Sequence, residues 1–283
     1  MENKEKKFYI TTPIYYVNDV PHIGHAYTTV ICDTIANFNK WLGNKVNFLT
    51  GTDEHGQKVE KSALKANMDP QTFTDNVSKS FKKLASKLEI NNTDFIRTTE
   101  DRHIKSVKHL WNILVNKGDI YIDKYSGWYS IRDEAFYSND EVIEDKSGKK
   151  LAPSGSEVEW LEEPSYFFKL SSWQDKLLKF YEKNPDFISP KSRYNEVLSF
   201  VNGGLEDLSI SRTTFNWGIQ VPDNDDHVIY VWLDALTNYI SALDYPNKDS
   251  KNWKSFWPAD IHVVGKDILR FHAVYWPAFL MAA

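Results

Sequence analysis

Apolar positions in the first hundred residues alternate between two rhythms. Phe8 to Ile14 is a short β-branched and aromatic run that predicts a strand. Tyr27, Val30, Ile31, Ile35, Phe38, Trp41 and Leu42 then recur at helical spacing, and Gly43 supplies a stop. Lys45 to Thr50 predicts a second strand, with a helix from about Gln57. Asp69-Pro70 caps another helix whose Phe73, Val77, Phe81, Leu84 and Leu88 share one face. Asp94 to Thr98 reads as a third strand and Glu100 to Lys117 as a helix ending at Gly118. Strand–helix–strand units with short links predict an α/β chain with a doubly wound parallel sheet.

From Asp119 the pattern changes. Short aromatic strands at Tyr121 to Tyr125, Trp128 to Ile131 and Tyr166 to Leu170 surround a polar loop, Asn139 to Gly155. This reads as a smaller β-rich insertion. Helices follow at Ser172 to Lys183 and, with Pro190 in a first-turn position, at Lys191 to Val201. The α/β rhythm returns with strand His227 to Trp232, helix Leu233 to Leu243, strand Ile261 to Val264 and a last helix from Asp267. The chain thus divides into 1–117, 118–207 and 208–283, the outer parts forming one sheet-based domain. Its final helix runs apolar through Phe279 and Leu280 to Ala283 without a cap, which predicts a fragment of a longer reading frame.

Composition narrows the classes. Among 283 residues, 41% are hydrophobic and 14% aromatic, enough for a sizeable core. No stretch approaches the roughly 20 apolar residues of a membrane span, so no membrane partner is predicted. Met1 to Lys7 is charged with mixed sign, unlike a secretory or organellar signal. The single cysteine, Cys32, excludes an internal disulfide and a thiolate zinc cluster, and suits a reducing cytoplasm. Cys32 lies within an apolar helical pattern and reads as a packed residue. A net charge of −5 argues against binding nucleic acid chiefly through phosphate neutralisation, though a local basic surface remains compatible.

Candidate chemistry begins at Pro21-His22-Ile23-Gly24-His25, which follows the first strand and opens the first helix. A helix N-terminus there offers free N–H groups and a positive dipole end to a phosphate. Gly24 lets a nucleotide approach the backbone, and two imidazoles three residues apart can donate to phosphate oxygens in a transition state. By itself a His-x-x-His pair is weak evidence, and this one supports only nucleotide binding. Asp53, just past a strand's C-terminal end, is either a ligand-binding carboxylate or a turn residue beside Gly51.

The tetrapeptide His22-Ile23-Gly24-His25 resembles the first signature of class I aminoacyl-tRNA synthetases. Thr11-Thr12-Pro13-Ile14-Tyr15-Tyr16-Val17-Asn18 before it, and Phe48-Leu49-Thr50-Gly51-Thr52-Asp53-Glu54-His55-Gly56 after it, are similar to the methionyl-tRNA synthetase family. So are Leu208 to Arg212, Tyr230 to Ala235 and Val264 to His272, in the family's order along nearly the whole chain. The resemblance implies a Rossmann-type sheet with a connective insertion. It also implies ATP, as its Mg²⁺ complex, and L-methionine as substrates, with tRNA(Met) as the partner of the intact protein. His22 and His25 would be catalytic. His22, Gly24, His25, Gly265, Lys266 and Asp267 would bind ATP. Asp53 would hold the substrate ammonium and Arg212 would lie near its carboxylate. Ile14, Tyr16, Trp232, Leu236, Tyr239, Ile268 and His272 would form the methionine pocket. Read without the resemblance, Trp232, Tyr239 and Ile268 are ordinary core residues.

Two departures stand out. Many relatives carry cysteine zinc knuckles in the insertion, but Gly127 to Tyr166 has no cysteine. No structural metal is predicted, and Trp128, Tyr129, Phe136, Tyr137 and Trp160 are expected to supply an aromatic core instead. The family's Lys-Met-Ser-Lys-Ser loop and anticodon-binding domain are also absent from the sequence, which predicts binding of methionine and adenylate with impaired activation. Three other readings remain. One is a nucleotidylyltransferase sharing the His-x-Gly-His turn, and another is a non-catalytic binding fragment. The third is a metal hydrolase using His22, His25, Asp53 and His55.

Overall fold

A computed structural model describes residues 6–133, 135–137, 139–145 and 147–283; the side chains of Tyr125, Ala135, Phe136 and Glu163 lie outside it. The aromatic role expected of Phe136 therefore falls outside the described residues.

The first part contains β1 (Lys7–Thr11), β2 (Tyr15–Tyr16), α1 (Ile23–Trp41), β3 (Lys45–Asp53), α2 (Gln57–Lys65), α3 (Pro70–Lys87), β4 (Asp94–Arg97) and α4 (Asp101–Asn116). The predicted first strand is broken at Thr12 to Ile14, and the second runs three residues further than expected, to Asp53. β3 pairs in parallel with β1, β2 and β4. At Gly51 an added Cβ would stand 2.1 Å from the carbonyl oxygen of Ile96, so only glycine permits this approach of β3 to β4. Asp69 caps α3 by accepting the Thr72 N–H at 2.9 Å, with Pro70 opening the helix as predicted.

α1 inverts the expected face. Its buried residues are Thr29, Cys32 and Ala36, whereas Tyr27, Val30, Phe38 and Trp41 are exposed. Small side chains let the helix lie close on the sheet, where Cys32 and Ala36 join Ile10, Val46 and Phe48. Cys32 is the packed residue anticipated; burial pushes its thiol up to about 12.

The middle of the chain contains β5 (Ile120–Ser130), β6 (Ala135–Tyr137), β7 (Ile143–Glu144), β8 (Lys150–Leu151), β9 (Glu159–Phe168), α5 (Gln174–Lys183), α6 (Lys191–Asn202) and β10 (Leu208–Ser209). The strands β10, β9, β5 and β6 form an antiparallel sheet in that order. Tyr121 to Ile131 was expected as two strands, but β5 is continuous because Gly127 pairs with Leu161 instead of turning. The polar loop also contains the β7–β8 hairpin. Trp128 and Trp160 meet edge-to-face at 5.3 Å, and Tyr129 is buried.

The last part contains β11 (Ser211–Arg212), β12 (Gln220–Val221), β13 (Asn224–Ile229), α7 (Val231–Ser241), α8 (Lys251–Phe256), β14 (Ile261–His262) and α9 (Trp276–Ala282). β14 returns to the parallel sheet beside β1. The strand predicted at His227 to Trp232 is corrected in place and direction: β13 ends at Ile229 and runs antiparallel to β11 and β12. Trp232 is thereby a helical residue of α7. Ahead of α9, residues 266–268 form a 3₁₀ turn and Phe271–Tyr275 a π-helical segment. The apolar end is covered: Phe279 and Ala282 are buried, and Lys117 Nζ donates to the carbonyls of Ala282 and Ala283 at 2.8 and 3.1 Å. α4, α5, α6, α7 and α9 share one hydrophobic core with Tyr9, Leu49 and Ile96 of the sheet. Among the described residues no helix is long and apolar enough to cross a membrane.

Candidate active site

β3 ends at Asp53, and the chain then turns through Glu54 and His55 into α2. Ligands of open α/β sheets bind outside such strand ends. Glu54 is fully buried and satisfied: its carboxylate accepts from Arg97 Nε at 2.7 Å, Arg97 Nη2 at 2.9 Å, Thr52 Oγ1 at 2.7 Å and Thr99 Oγ1 at 2.6 Å. Asp53, at 6% exposure, instead faces a cavity of about 270 Å³.

This cavity lies between the strand ends and α7. Ile14, Tyr16, Asp53, Trp232, Leu236, Tyr239, Ile268 and His272, all anticipated from the sequence, line it together. Asn18, Lys58, Arg132, Asp133 and Asn238 line it too and were missed, because isolated polar residues carry no periodic or motif signal. Its size is near the lower end of ligand pockets, roughly 300 Å³, suited to a small molecule more than to a nucleotide. Trp232 stacks on Phe271 with ring centroids 3.4 Å apart. In the lining, His272 Nδ1 donates to the Ile268 carbonyl at 2.9 Å, leaving Nε2 to accept the Tyr239 hydroxyl at 2.7 Å. Burial lowers His272 to about 4, so it is neutral at pH 7.

The two signature histidines stand at the start of α1, outside the cavity lining. His22 Nδ1 accepts the Gly24 N–H and His25 Nδ1 accepts the His22 N–H, each at 3.1 Å. With Nδ1 accepting, each neutral ring carries its proton on Nε2 as a donor. They stack at 3.8 Å, and burial, then the neighbouring His22, lowers His25 to about 4. A Cβ at Gly24 would come within 3.0 Å of the His22 ring, so glycine also frees that imidazole. His25 connects to the cavity through Tyr15, whose hydroxyl donates to the His25 carbonyl at 3.2 Å and whose chain neighbour is Tyr16.

Gly265 caps the turn of Lys266, Asp267 and Ile268, of which only Ile268 reaches the cavity. Arg212 is not brought to it either. At 1% exposure it donates to Ser209 Oγ and the Ser211 carbonyl at 2.7 and 2.6 Å, under the Tyr230 ring at 3.8 Å. Beside the cavity a groove of about 640 Å³ is lined by Lys58, Lys61, Lys65 and Arg132, and also by Glu157 and Glu159. Lys58 and Arg132 belong to both spaces. Among the described residues no three His, Cys, Asp or Glu side chains converge as metal ligands.

The family model of the tRNA synthetases class I (M) matches residues 8–283. The chain belongs to this family. Its parallel sheet is the Rossmann-type fold of the class I synthetases. Over 276 residues it is 66% identical to a methionine–tRNA ligase of Rickettsia bellii, and over 278 residues 54% identical to one of Brucella suis, with 98% of the chain covered in both. It spans about half the length of these curated relatives, 53% and 54%. The structure of Mycobacterium tuberculosis methionyl-tRNA synthetase in complex with methionyl-adenylate superposes with a TM-score of 0.96 at 51% identity, covering 98% of this chain and 54% of that one. The free form of the same enzyme superposes at 0.86, with 48% identity over the whole of this chain and 54% of that one.

Proposed function

We propose that this class I synthetase chain holds the amino-acid-activating site of a methionine–tRNA ligase. In that reaction a methionine carboxylate oxygen attacks the α-phosphorus of ATP, supplied as its Mg²⁺ complex. The bond to the leaving pyrophosphate breaks and methionyl-adenylate forms. The intact protein then passes the methionyl group to tRNA(Met). The chemistry needs no protein nucleophile; positioning and electrostatic stabilisation carry it.

One observation carries the reading: an amino-acid-sized cavity is lined both by a buried carboxylate, Asp53, and by an uncharged Tyr239–His272 pair. Asp53 suits the substrate's α-ammonium, and the neutral Trp232, Tyr239 and His272 lining suits a polarisable thioether and disfavours a charged side chain. Relatives carrying the methionine–tRNA ligase name, one solved with methionyl-adenylate, support the same assignment. His22 and His25, as Nε2–H donors at a helix N-terminus, are assigned to the phosphates, and the Gly265-Lys266-Asp267 turn to the nucleotide. Arg212 would have to leave the face of Tyr230 to reach the substrate carboxylate; Lys58 and Arg132 are the cations already at the cavity. The basic groove continuing from them offers phosphate contacts to the tRNA acceptor end. Residues 118–207 act as a connective insertion between the two halves of the catalytic domain, and the protein works in the cytoplasm without a structural zinc.

Ligand binding is the property to measure on this chain. Calorimetry with a non-hydrolysable methionyl-adenylate analogue tests the proposal. Stoichiometric binding tighter than that of methionine or adenosine alone is expected, and no binding would refute it.

A further inference from the structure

Asp234 is fully buried in α7, two residues before the cavity residue Leu236 and one turn before Asn238, yet it does not line the cavity. Its Oδ2 lies 2.6 Å from Nδ1 of His55 and its Oδ1 lies 2.7 Å from Nε2 of His103. His103 is also fully buried, and its Nδ1 lies 3.1 Å from the Ser241 hydroxyl. Each imidazole donates an N–H to one carboxylate oxygen, and the Ser241 hydroxyl, 2.9 Å from the Thr237 carbonyl, sits beside the remaining nitrogen of His103. One carboxylate therefore ties α7 to α4 and to the loop that leaves β3.

That loop carries Asp53. On one side of Asp53, Glu54 is locked to Arg97 and Thr99. Two residues on, His55 is locked to Asp234. α7 supplies Trp232, Leu236 and Tyr239 to the same cavity that Asp53 lines. A buried hydrogen-bonded bridge thus links the segment that carries Asp53 to the helix that carries Trp232, Leu236 and Tyr239. Asp234 interrupts the apolar run Val231 to Leu236, where burial of a charge is costly unless both oxygens are paired.

We infer that Asp234, through His55, is a positioning residue for amino-acid binding, holding the Asp53 loop in register with the α7 wall. The inference rests on the reading of the cavity as the methionine site. The nucleotide groups at the start of α1 are outside the bridge, so the two ligands should respond differently when it is cut.

The test is calorimetry on the 283-residue chain, titrating L-methionine and, separately, a β,γ-methylene analogue of ATP. Asp234→Ala and His55→Ala should each weaken methionine at least tenfold and leave the ATP analogue within about twofold. His55→Asn places an amide N–H where ring Nδ1 stood and should return methionine affinity to within about threefold of the unaltered chain. Should Asp234→Ala not fold, the two His55 variants carry the test by themselves. Unchanged methionine binding in His55→Ala, equal weakening of both ligands, or no rescue by His55→Asn would overturn the inference. If the unaltered chain bound the ATP analogue but no methionine, the methionine reading itself would fall.

Discussion

The Tyr239 hydroxyl donates to His272 Nε2 at 2.7 Å, and the other ring nitrogen is engaged by a backbone carbonyl. This pair has no spare proton to place in the cavity, and it leaves the tyrosine oxygen as a weak acceptor against a neutral ligand. Tyr239→Phe removes that oxygen and unpairs Nε2. It should lower folding stability by about 1–1.5 kcal/mol, the worth of this internal hydrogen bond, and change methionine affinity by less than that. Chemical denaturation beside isothermal titration of the variant checks this.

Asp53→Asn should be more severe. A hydrogen bond to a charged group is worth about 1.5–3 kcal/mol, so a loss of roughly 10- to 100-fold in methionine affinity follows. The thermal midpoint should hold or rise, because a buried charge is removed without changing shape. An affinity loss matched by a large fall in that midpoint would point to a structural role instead.

His22→Ala should act on the nucleotide side. Its Nδ1 is the N-cap acceptor of α1, and removing it costs about 1 kcal/mol of stability together with one N–H donor. Affinity for the methylene ATP analogue should fall several-fold and methionine affinity should not change. Parallel titrations of the two ligands read this directly.

Stability should decline as the solution is acidified from pH 6.5 towards 4. Burial lowers His272 to about 4; burial, then the neighbouring His272, lowers His262 to about 3. Both lie below the ordinary histidine value of about 6.5, so the unfolded chain takes up protons in that window before the folded one does. Their contribution is complete above pH 6.5 and lost as pH falls. Thermal midpoints across this range should drop, and His272→Gln should flatten the slope.

Gly51→Ala tests the sheet. The new Cβ would meet the Ile96 carbonyl oxygen at 2.1 Å, and backbone cannot yield as a side-chain tip does. A loss of about 3 kcal/mol is expected in chemical denaturation. Gly43→Ala, with nothing within 4 Å, should cost only the strain of its φ of +84°.

The parallel sheet was legible because strand and helix periodicities alternate and Asp69-Pro70 marks a helix start. The signature turn was legible because its chemistry is local: His22 and His25 cap the helix that they open. What periodicity could not supply was the side of α1 that packs. Tyr27, Val30, Phe38 and Trp41 make the stronger apolar stripe, yet Thr29, Cys32 and Ala36 face the sheet, since close helix–sheet packing selects small side chains. Trp232 was placed on a strand because aromatic and β-branched residues around it carry strand propensity, which tertiary context overrode. The partners of Asp234 were illegible for a plainer reason. His55 and His103 are 179 and 131 residues away in sequence, and only the fold brings them together.

Amino-acid selectivity tests the central claim most directly. L-Methionine, L-leucine, L-glutamate and L-lysine should be titrated into the chain at pH 7. Saturable one-to-one binding of methionine is predicted, with leucine at least tenfold weaker and no measurable binding of the two charged amino acids. Glutamate or lysine binding as well as methionine, or methionine affinity unchanged by Asp53→Asn, would contradict the account.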